Sequence, residues 1–300
     1  MAEFNINILG CGSALPTTRH LATSQIVDLR DKLYMIDCGE GTQVQMRRFG
    51  RLAHIFISHL HGDHCFGLPG LISTLGMLGR TGELVVHGPK EVETYLRPVM
   101  DLFCRGMEFE VRFNPVDTRS HSLVMEDRSL SVYSIPLKHR IPTCGYLFAE
   151  KPKEAHIIRE MTDFYQVPVR CMKDIKQGQD YVTPEGEVVP NSRLTRPAAP
   201  PKRYAFCSDT AYNRSIIPII EGADLLYHEA TFAECDLARA KETFHSTARQ
   251  AAEIARDAHV KRLVIGHYSA RYEDLSELHR EAEAVFPGTI LGNEGTVIPV

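Results

Sequence analysis

The chain has 300 residues, and its 34 Lys and Arg against 38 Asp and Glu give a formal net charge of −4. This balance excludes nucleic-acid binding through overall positive charge, so any such binding would depend on local basic patches. With 43% hydrophobic residues and no apolar run of membrane-spanning length, the composition is that of a globular protein.

The cysteines and the amino terminus favour a cytoplasmic protein. The eight Cys are scattered and include no Cys-x-x-Cys pair, as expected of reduced and mostly buried thiols. Cys38, Cys65 and Cys207 lie beside candidate site segments, and packing is the favoured interpretation for all three. No signal peptide is expected, because residues 4–9 already have the pattern of a strand.

The first group of candidate ligands follows an apolar strand-like run at residues 55–57. His59, His61, Asp63 and His64 lie within six residues, and beyond them the apolar spacing of residues 68–75 predicts a helix. Imidazole nitrogen and carboxylate oxygen are zinc ligands, whereas surface histidines on a loop would be the ordinary alternative. One loop cannot wrap all four side chains around a single ion, so the cluster predicts two neighbouring metals.

Three more candidates also come directly after apolar, strand-like runs. His139 follows residues 130–137, Asp209 follows residues 204–207, and His267 follows residues 263–266. Strand ends at one edge of a sheet converge in space, so these side chains are expected to join the first cluster. A two-metal site also benefits from a bridging carboxylate.

Residues 150–202 differ in composition from the segments on either side of them. A short amphipathic helix is predicted at 155–165, and a proline-rich stretch closes the segment at 197–201. Nine Lys and Arg stand against eight Asp and Glu between Glu150 and Lys202, so the segment is not a basic rod. The composition is typical of an inserted arm, and an ordinary surface insertion is the alternative.

Two helices are predicted in the last third of the chain. Residues 246–260 are rich in alanine, and Thr247 with Gln250 forms a possible capping box at the start of that helix. A second helix is predicted at 274–285. In the first part of the chain, Arg47, Arg48 and Arg51 form a basic cluster that fits RNA contact and a solvated helix face equally well.

The order of these motifs resembles the ribonuclease Z family of tRNA 3′-processing endonucleases, within the metallo-β-lactamase superfamily. The pattern at residues 58–64 alone would specify only the superfamily. The His-Glu-Ala-Thr segment at 228–231 and the His-Ser-Thr segment at 245–247 point to this branch. Other matching segments extend over nearly the whole chain, namely residues 9–13, 37–43, 58–69, 206–210 and 266–267.

The resemblance implies an α/β (α+β) fold, a four-layer αββα sandwich formed by residues 1–300 as one domain, with a tRNA-binding arm at 150–202. It implies two zinc ions per chain, each held by a set of four side chains. The first set is His59, His61, His139 and Asp209, and the second is Asp63, His64, Asp209 and His267, with Asp209 bridging.

The resemblance also implies an activity. The enzyme would remove 3′ trailers from precursor tRNA and leave a 3′-hydroxyl, by attack of a hydroxide held between the ions. Asp63 would orient the water and accept its proton, and His245, held by Glu229, would protonate the leaving oxygen. Members of the family usually act as homodimers, and the chain is expected to be cytoplasmic.

The chain departs from the family pattern at two places. Val169-Arg170 stands where the arm usually has Gly-Pro, and residues 16–20 differ from the usual loop containing Lys and Asn. His228 is interpreted as a structural residue or as a partner that orients the ligands without binding metal. No ligand-like context surrounds the remaining histidines, which are His20, His54, His87, His121, His156, His259 and His279.

Two alternative functions stay open at this point. One is a phosphodiesterase or other hydrolase that acts on small substrates with the same dinuclear site, since a fold does not fix a substrate. The other is a nucleic-acid-binding relative without metals, against which the presence of every expected ligand argues.

Overall fold

The structure, a computed structural model, describes residues 4–15 and 17–300. The sequence departure at residues 16–20 therefore lies partly outside the described residues, because it includes Pro16. The strands are β1 (Phe4–Gly10), β2 (Gly12–Ser13), β3 (Ser24–Leu29), β4 (Lys32–Ile36), β5 (Leu52–Phe56), β6 (Leu84–Gly88), β7 (Val111–Pro115), β8 (Leu123–Glu126), β9 (Leu130–Pro136), β10 (Cys144–Glu150), β11 (His156–Ile157), β12 (Tyr181–Val182), β13 (Val188–Val189), β14 (Thr195–Arg196), β15 (Arg203–Cys207), β16 (Leu225–Glu229), β17 (Leu263–Gly266), β18 (Tyr268–Ser269), β19 (Ile290–Leu291) and β20 (Val297–Pro299).

The helices are mostly short. They are α1 (Thr42–Gln45), α2 (Gly62–Cys65), α3 (Leu68–Met77), α4 (Glu91–Phe103), α5 (Arg159–Phe164), α6 (Met172–Lys176), α7 (Asn191–Leu194), α8 (Ile217–Ile220), α9 (Leu237–Thr243), α10 (Ala248–Asp257) and α11 (Ser276–Glu283). Four single 3-10 turns lie at Met46–Arg48, Val169–Cys171, Arg214–Ile216 and Glu234–Asp236. Within the described residues, no helix has both the length and the apolar character needed to cross a membrane.

The chain divides into two compact units, Met1–Ala149 with Lys202–Val300, and Glu150–Pro201. The larger unit contains two seven-stranded sheets. The first has the strand order β20-β1-β3-β4-β5-β6-β7, and the second has the order β19-β17-β16-β15-β10-β9-β8. In the second sheet β15, β16 and β17 run parallel, so their carboxyl ends lie at one edge.

The larger unit is the αββα sandwich expected from the sequence. Alternation along β5 shows how the layers form, because successive side chains of a strand point to opposite faces. Phe56 packs into a core shared with Tyr146 and Phe206 of the second sheet. The neighbouring Ile55 and Ile57 pack instead into a core that includes α3 and α4. Buried alanines of α10 and Leu278 of α11 join the core of the second sheet, which completes the four layers.

The smaller unit has a core of its own. Five buried side chains form it, Val167, Ile175, Tyr181, Val189 and Leu194. Its strands pair in two ladders of two residues each, β11 with β14 and β12 with β13. The helix predicted at 155–165 is wrong at its start, because His156 and Ile157 form β11 and the helix begins at Arg159.

The helix predicted at 68–75 corresponds to α3, which continues to Met77. The two helices predicted in the last third of the chain are present and shorter than expected. The 246–260 prediction corresponds to α10, and the 274–285 prediction corresponds to α11. The capping box is confirmed: the Thr247 side chain accepts from Gln250 N–H, and the Gln250 side chain accepts from Thr247 N–H. Pro69 lies in the first turn of α3, where its missing N–H costs no hydrogen bond.

Candidate metal centre and acid pair

The seven candidate ligands come from the ends of four strands. His59, His61, Asp63 and His64 follow β5, and the other three follow β9, β15 and β17. Asp209 and His267 each have a positive φ, 56° and 60°, so the backbone turns sharply where each strand ends. All seven side chains are brought together at this edge of the larger unit, in two groups whose ligand atoms lie within 4.8 Å of one another.

The first group contains three imidazoles and one carboxylate. His61 Nδ1 lies 3.0 Å from His59 Nε2 and 3.2 Å from His139 Nε2. Asp209 Oδ2 lies 3.6 Å from His59 Nε2 and 3.7 Å from His139 Nε2. Four donor atoms from three separate strand ends therefore surround one point.

The second group uses the other oxygen of Asp209. Asp209 Oδ1 lies 3.2 Å from His64 Nε2 and 3.1 Å from His267 Nε2. Asp63 Oδ2 lies 3.3 Å from the same atom of His64 and 3.5 Å from that of His267. One carboxylate thus faces both groups with separate oxygens, which is the arrangement a bridging ligand requires.

The donor spacing fits divalent metal ions. Bonds of about 2.0–2.1 Å in a tetrahedron place neighbouring ligand atoms roughly 3.3–3.4 Å apart. The donor-to-donor distances given above run from 3.0 to 3.7 Å and bracket that value. Nitrogen and oxygen donors also match the preference of zinc. Metal binding by these seven residues stays a prediction, and the geometry of the side chains is compatible with it.

Asp37 supports this site, and the sequence analysis did not assign it a role. It follows β4 with a φ of 55° and is fully buried. Its Oδ2 accepts from His64 Nδ1 and from Ser58 Oγ, each at 2.8 Å, and its Oδ1 accepts from Ser58 N–H at 2.7 Å. Such contacts hold a metal-binding imidazole in one tautomer and orientation. The sequence signal that could have identified Asp37 is its position as an acidic residue directly after an apolar strand.

The other imidazoles are held in a similar way. Phe244 O accepts from His139 Nδ1 at 3.0 Å. His267 Nδ1 lies 3.0 Å from Thr231 Oγ1, which in turn donates to Glu229. In both residues the contact at Nδ1 fixes the ring so that Nε2 faces the ligand group.

Burial and charge set the protonation states of the two groups differently. Burial lowers the pKa of His59, His61 and His139, which favours the neutral form that binds metal. Burial opposes the charged form of His64 as well, but Asp209, Asp63 and Asp37 outweigh it and hold its pKa well above the usual value. The carboxylates therefore create a strongly negative point that favours a cation.

Glu229 and His245 form a buried acid pair beside the second group. Glu229 Oε1 lies 3.0 Å from His245 Nδ1, and backbone N–H groups of Thr210 and Ser246 donate to the same carboxylate at 2.6 and 3.1 Å. Burial lowers the pKa of His245, but the Glu229 charge and hydrogen bond raise it to about 9. This pKa favours the protonated form of His245 at neutral pH, and Nδ1 is the nitrogen that contacts Glu229.

The turn between α9 and α10 positions two site residues at once. Phe244 has a φ of 61°, in the left-handed region, and its carbonyl oxygen holds His139. His245 is the next residue, and its N–H donates to Ala240 O at 2.9 Å. The ring centroids of His139 and His245 lie 5.1 Å apart, so the acid pair and the first group are fixed to one turn.

A cavity of about 460 Å³ opens over these groups. Its wall includes the loop after β2 and five of the candidate site residues, His61, Asp63, His139, Asp209 and His245. Ala14 N–H of that loop donates to Asp63 Oδ2 at 2.8 Å. The cavity gives a substrate access to both groups and to the acid pair.

The remaining histidines lie outside the two groups. His228 is buried, and its Nδ1 lies 2.8 Å from Glu229 O, as a structural residue would. His20 has a setting that the sequence did not reveal, because its Nδ1 lies 3.0 Å from Glu294 Oε2 and 3.4 Å from Cys11 Sγ. The contact with Glu294 connects the loop after β2 to a segment 274 residues away in the chain. Cys38, Cys65 and Cys207 are buried thiols.

Known proteins resemble the chain over its full length. The ribonuclease Z of Parabacteroides distasonis is 81% identical over 100% of both chains. The crystal structure of human tRNase Z, short form, matches with a TM-score of 0.71 and 24% identity over 99% of this chain and 100% of that one. The metallo-β-lactamase fold protein YhfI of Bacillus subtilis matches with a TM-score of 0.67 and 16% identity over 98% of each chain.

A family model described as anti-Pycsar protein Apyc1 matches residues 4–91, less than a third of the chain. The full-length identity is the stronger finding, because it covers every segment that forms the two groups and the acid pair. The fold is that of the metallo-β-lactamase proteins, as the sequence predicts. The chain belongs to the ribonuclease Z family.

Proposed function

We infer that this protein is a tRNA 3′-processing endonuclease, which cuts precursor tRNA and leaves a 3′-hydroxyl on the tRNA. The observation that carries this conclusion is the convergence of both ligand groups with the Glu229–His245 pair in one cavity, in a chain 81% identical to a ribonuclease Z. A dinuclear site suits hydrolysis of a phosphodiester, and a separate acid suits departure of a ribose oxygen.

We propose that the cofactor is zinc, with two ions per chain bound by the seven ligands. Bound divalent ions supply Lewis acidity, which activates water and neutralises charge on the phosphate. The nitrogen-rich donor set supports zinc over magnesium, which prefers oxygen ligands.

The protein's own residues perform the proton transfers in this proposal. Asp63 orients the attacking water and accepts its proton, and the backbone N–H of Ala14 holds the Asp63 carboxylate in place. Water oxygen bonds to phosphorus while the bond from phosphorus to O3′ of the tRNA breaks. His245 donates the Nε2 proton to that O3′, and Glu229 stabilises the imidazole in position.

We propose that residues 150–202 bind the tRNA body. Support comes from the separate core of the Glu150–Pro201 unit, which allows the segment to present a surface of its own. Its charge is nearly balanced, nine bases against eight acids, so recognition depends on backbone groups and shape more than on charge.

We propose further that the enzyme is a cytoplasmic homodimer. Exposed apolar side chains near the ends of α3 and α4 support an interface between copies, including Met77 at 79% and Phe103 at 76% exposure. All eight cysteines are free thiols, as expected in a reducing compartment. Sedimentation of the wild type and of Phe103→Ser tests the dimer, which the substitution should weaken.

The direct test of the function is cleavage of a precursor tRNA that carries a 3′ trailer. The purified protein should release mature tRNA with a 3′-hydroxyl and a trailer with a 5′-phosphate. A chelator should stop the reaction, and added zinc should restore it. Hydrolysis of small diesters without cleavage of precursor tRNA would contradict this function and favour the small-substrate alternative.

A further inference from the structure

A second cavity adjoins the one over the metal centre. Its volume is about 580 Å³, and His139 and Arg140 line both cavities. The rest of its wall comes from the loop between β9 and β10, from Thr118 and Arg119, and from Asn213 and Ser215. A chain that leaves the metal centre past His139 would therefore enter this second cavity.

The second cavity is positively charged, although the protein as a whole has more acids than bases. Among the residues that the structure describes, three cations line it, Arg119, Lys138 and Arg140, and no carboxylate does. In the part of the chain that the structure describes, no acidic group lies within 4.0 Å of these three cationic groups. The nearby Asp117 carboxylate instead accepts from Arg119 N–H at 3.0 Å and from the Ser120 hydroxyl at 2.7 Å. The Ser120 hydrogen bond lowers the pKa of Asp117, and the charge of Arg119 contributes to this shift without forming an ion pair. An anionic ligand can therefore still contact all three cations.

The position of Lys138 is tied to the metal centre. Its N–H donates to Thr210 Oγ1 at 3.1 Å, and its carbonyl oxygen accepts from Ala211 N–H at 2.8 Å. These two residues directly follow Asp209, the carboxylate that faces both ligand groups. The cation is therefore carried on a backbone held in fixed register with the proposed ligands.

The position of His245, the acid of the proposed function, decides which part of the substrate enters the second cavity. This step therefore rests on the proposed function. His245 must face O3′ of the tRNA, and it also lines a third cavity of about 250 Å³ together with Phe232 and Arg271. The tRNA end therefore lies on the His245 side. The trailer, which keeps the phosphate, must leave by another route, and the second cavity does not include His245.

We propose that the second cavity binds the 3′ trailer, with Arg119 and Lys138 contacting the first phosphodiesters downstream of the scissile bond. Arg140, which lines all three cavities, lies where the two parts of the substrate meet. Contacts of this kind go to the backbone of a single strand and do not depend on its sequence. The trailer is thus bound by charge rather than by base identity.

The test compares two precursors of one tRNA, one with a single trailer nucleotide and one with a long trailer. The quantity compared is kcat/KM for the long trailer divided by kcat/KM for the single nucleotide. Arg119→Ala and Lys138→Ala should each lower this ratio by about tenfold, which corresponds to the loss of one charge-assisted hydrogen bond. For the long trailer, a plot of log kcat/KM against log salt concentration should become less steep by about 0.7 for each cation removed. Arg128→Ala, at an exposed arginine in the turn between β8 and β9, should change neither quantity.

A neutral methylphosphonate at the first downstream linkage provides a second readout. This neutral linkage should slow cleavage by the wild type. Arg119→Ala and Lys138→Ala should then slow cleavage little further, because the neutral linkage and the substitutions remove the same contact. Equal losses on both precursors, or weaker binding of mature tRNA, would overturn the proposal by placing these cations on the tRNA side. Failure of the proposed function is distinct, because the wild type would then cleave neither precursor.

Discussion

The candidate metal centre and the Glu150–Pro201 unit differ in how far apart along the chain their residues lie. At the candidate metal centre, side chains from four strand ends in two seven-stranded sheets converge. The Glu150–Pro201 unit has five buried core residues and strands of two residues. A change of one atom in the first region should therefore alter the chemistry, whereas the second should be exchangeable as a whole without loss of the chemistry.

The largest expected effect lies in the acid pair. His245→Ala should keep its metal and lose a factor of about 10² to 10⁴ in cleavage of precursor tRNA, the range for removal of a general acid. The loss should be much smaller on a nitrophenyl diester, whose leaving group needs no proton. Single-turnover rates on both substrates measure this, with His279→Ala as a control distant from the site. Equal losses on the two substrates would mean that His245 positions the substrate instead.

Replacement of the arm tests the other side of the comparison. A short linker in place of residues 152–198 should leave hydrolysis of a small diester close to that of the wild type. Cleavage of precursor tRNA should fall by about 10²-fold, because remote binding and positioning are lost. Parallel assays on the two substrates measure the split. Unchanged cleavage of tRNA would make the segment an ordinary insertion.

Asp37→Asn tests whether the supporting contacts matter as much as the geometry indicates. Asparagine fits the left-handed backbone at this position, but it cannot keep both acceptor contacts to His64 and Ser58. Metal affinity should fall by about 10- to 100-fold, as measured by competition with a chelator. Asp127→Asn, which affects a carboxylate bonded to Tyr34, is the matched control. An affinity equal to that of the wild type would remove Asp37 from the account.

A smaller effect concerns stability in acid. His87 is 2% exposed, and burial lowers its pKa to about 3, with His54 Nδ1 lying 3.0 Å from its Nε2. The folded pKa lies below the unfolded value of about 6.5, so this contribution is present above that pH and is lost as the pH falls toward 3. Between pH 7 and 5 it amounts to about 2 kcal/mol in the free energy of unfolding.

Denaturant unfolding of the wild type and of His87→Gln measures this contribution. The variant should lose less stability than the wild type over the same pH interval, while His156→Gln, at an exposed histidine, should follow the wild type. Identical pH profiles for the wild type and His87→Gln would show that the buried histidine pair is not the source.

The sequence predicts which seven side chains converge because each one comes soon after an apolar strand, and such a signal is local. Asp37 has the same signal after β4, but the sequence alone does not show whether its carboxylate contacts His64 or a metal. The start of the 155–165 helix was missed because His156 and Ile157 pair with residues about forty positions away. The contact of His20 with Glu294 is likewise non-local and leaves no pattern in either segment.

Metal content measured in the wild type, His139→Ala and Asp209→Ala tests the central claim most directly. Asp209 Oδ2 faces the first group and Oδ1 faces the second, so this carboxylate should hold both ions. We expect close to two zinc ions in the wild type, loss mainly of the first in His139→Ala, and loss of both in Asp209→Ala. Two bound ions in Asp209→Ala would contradict the bridging role on which the account of the site depends.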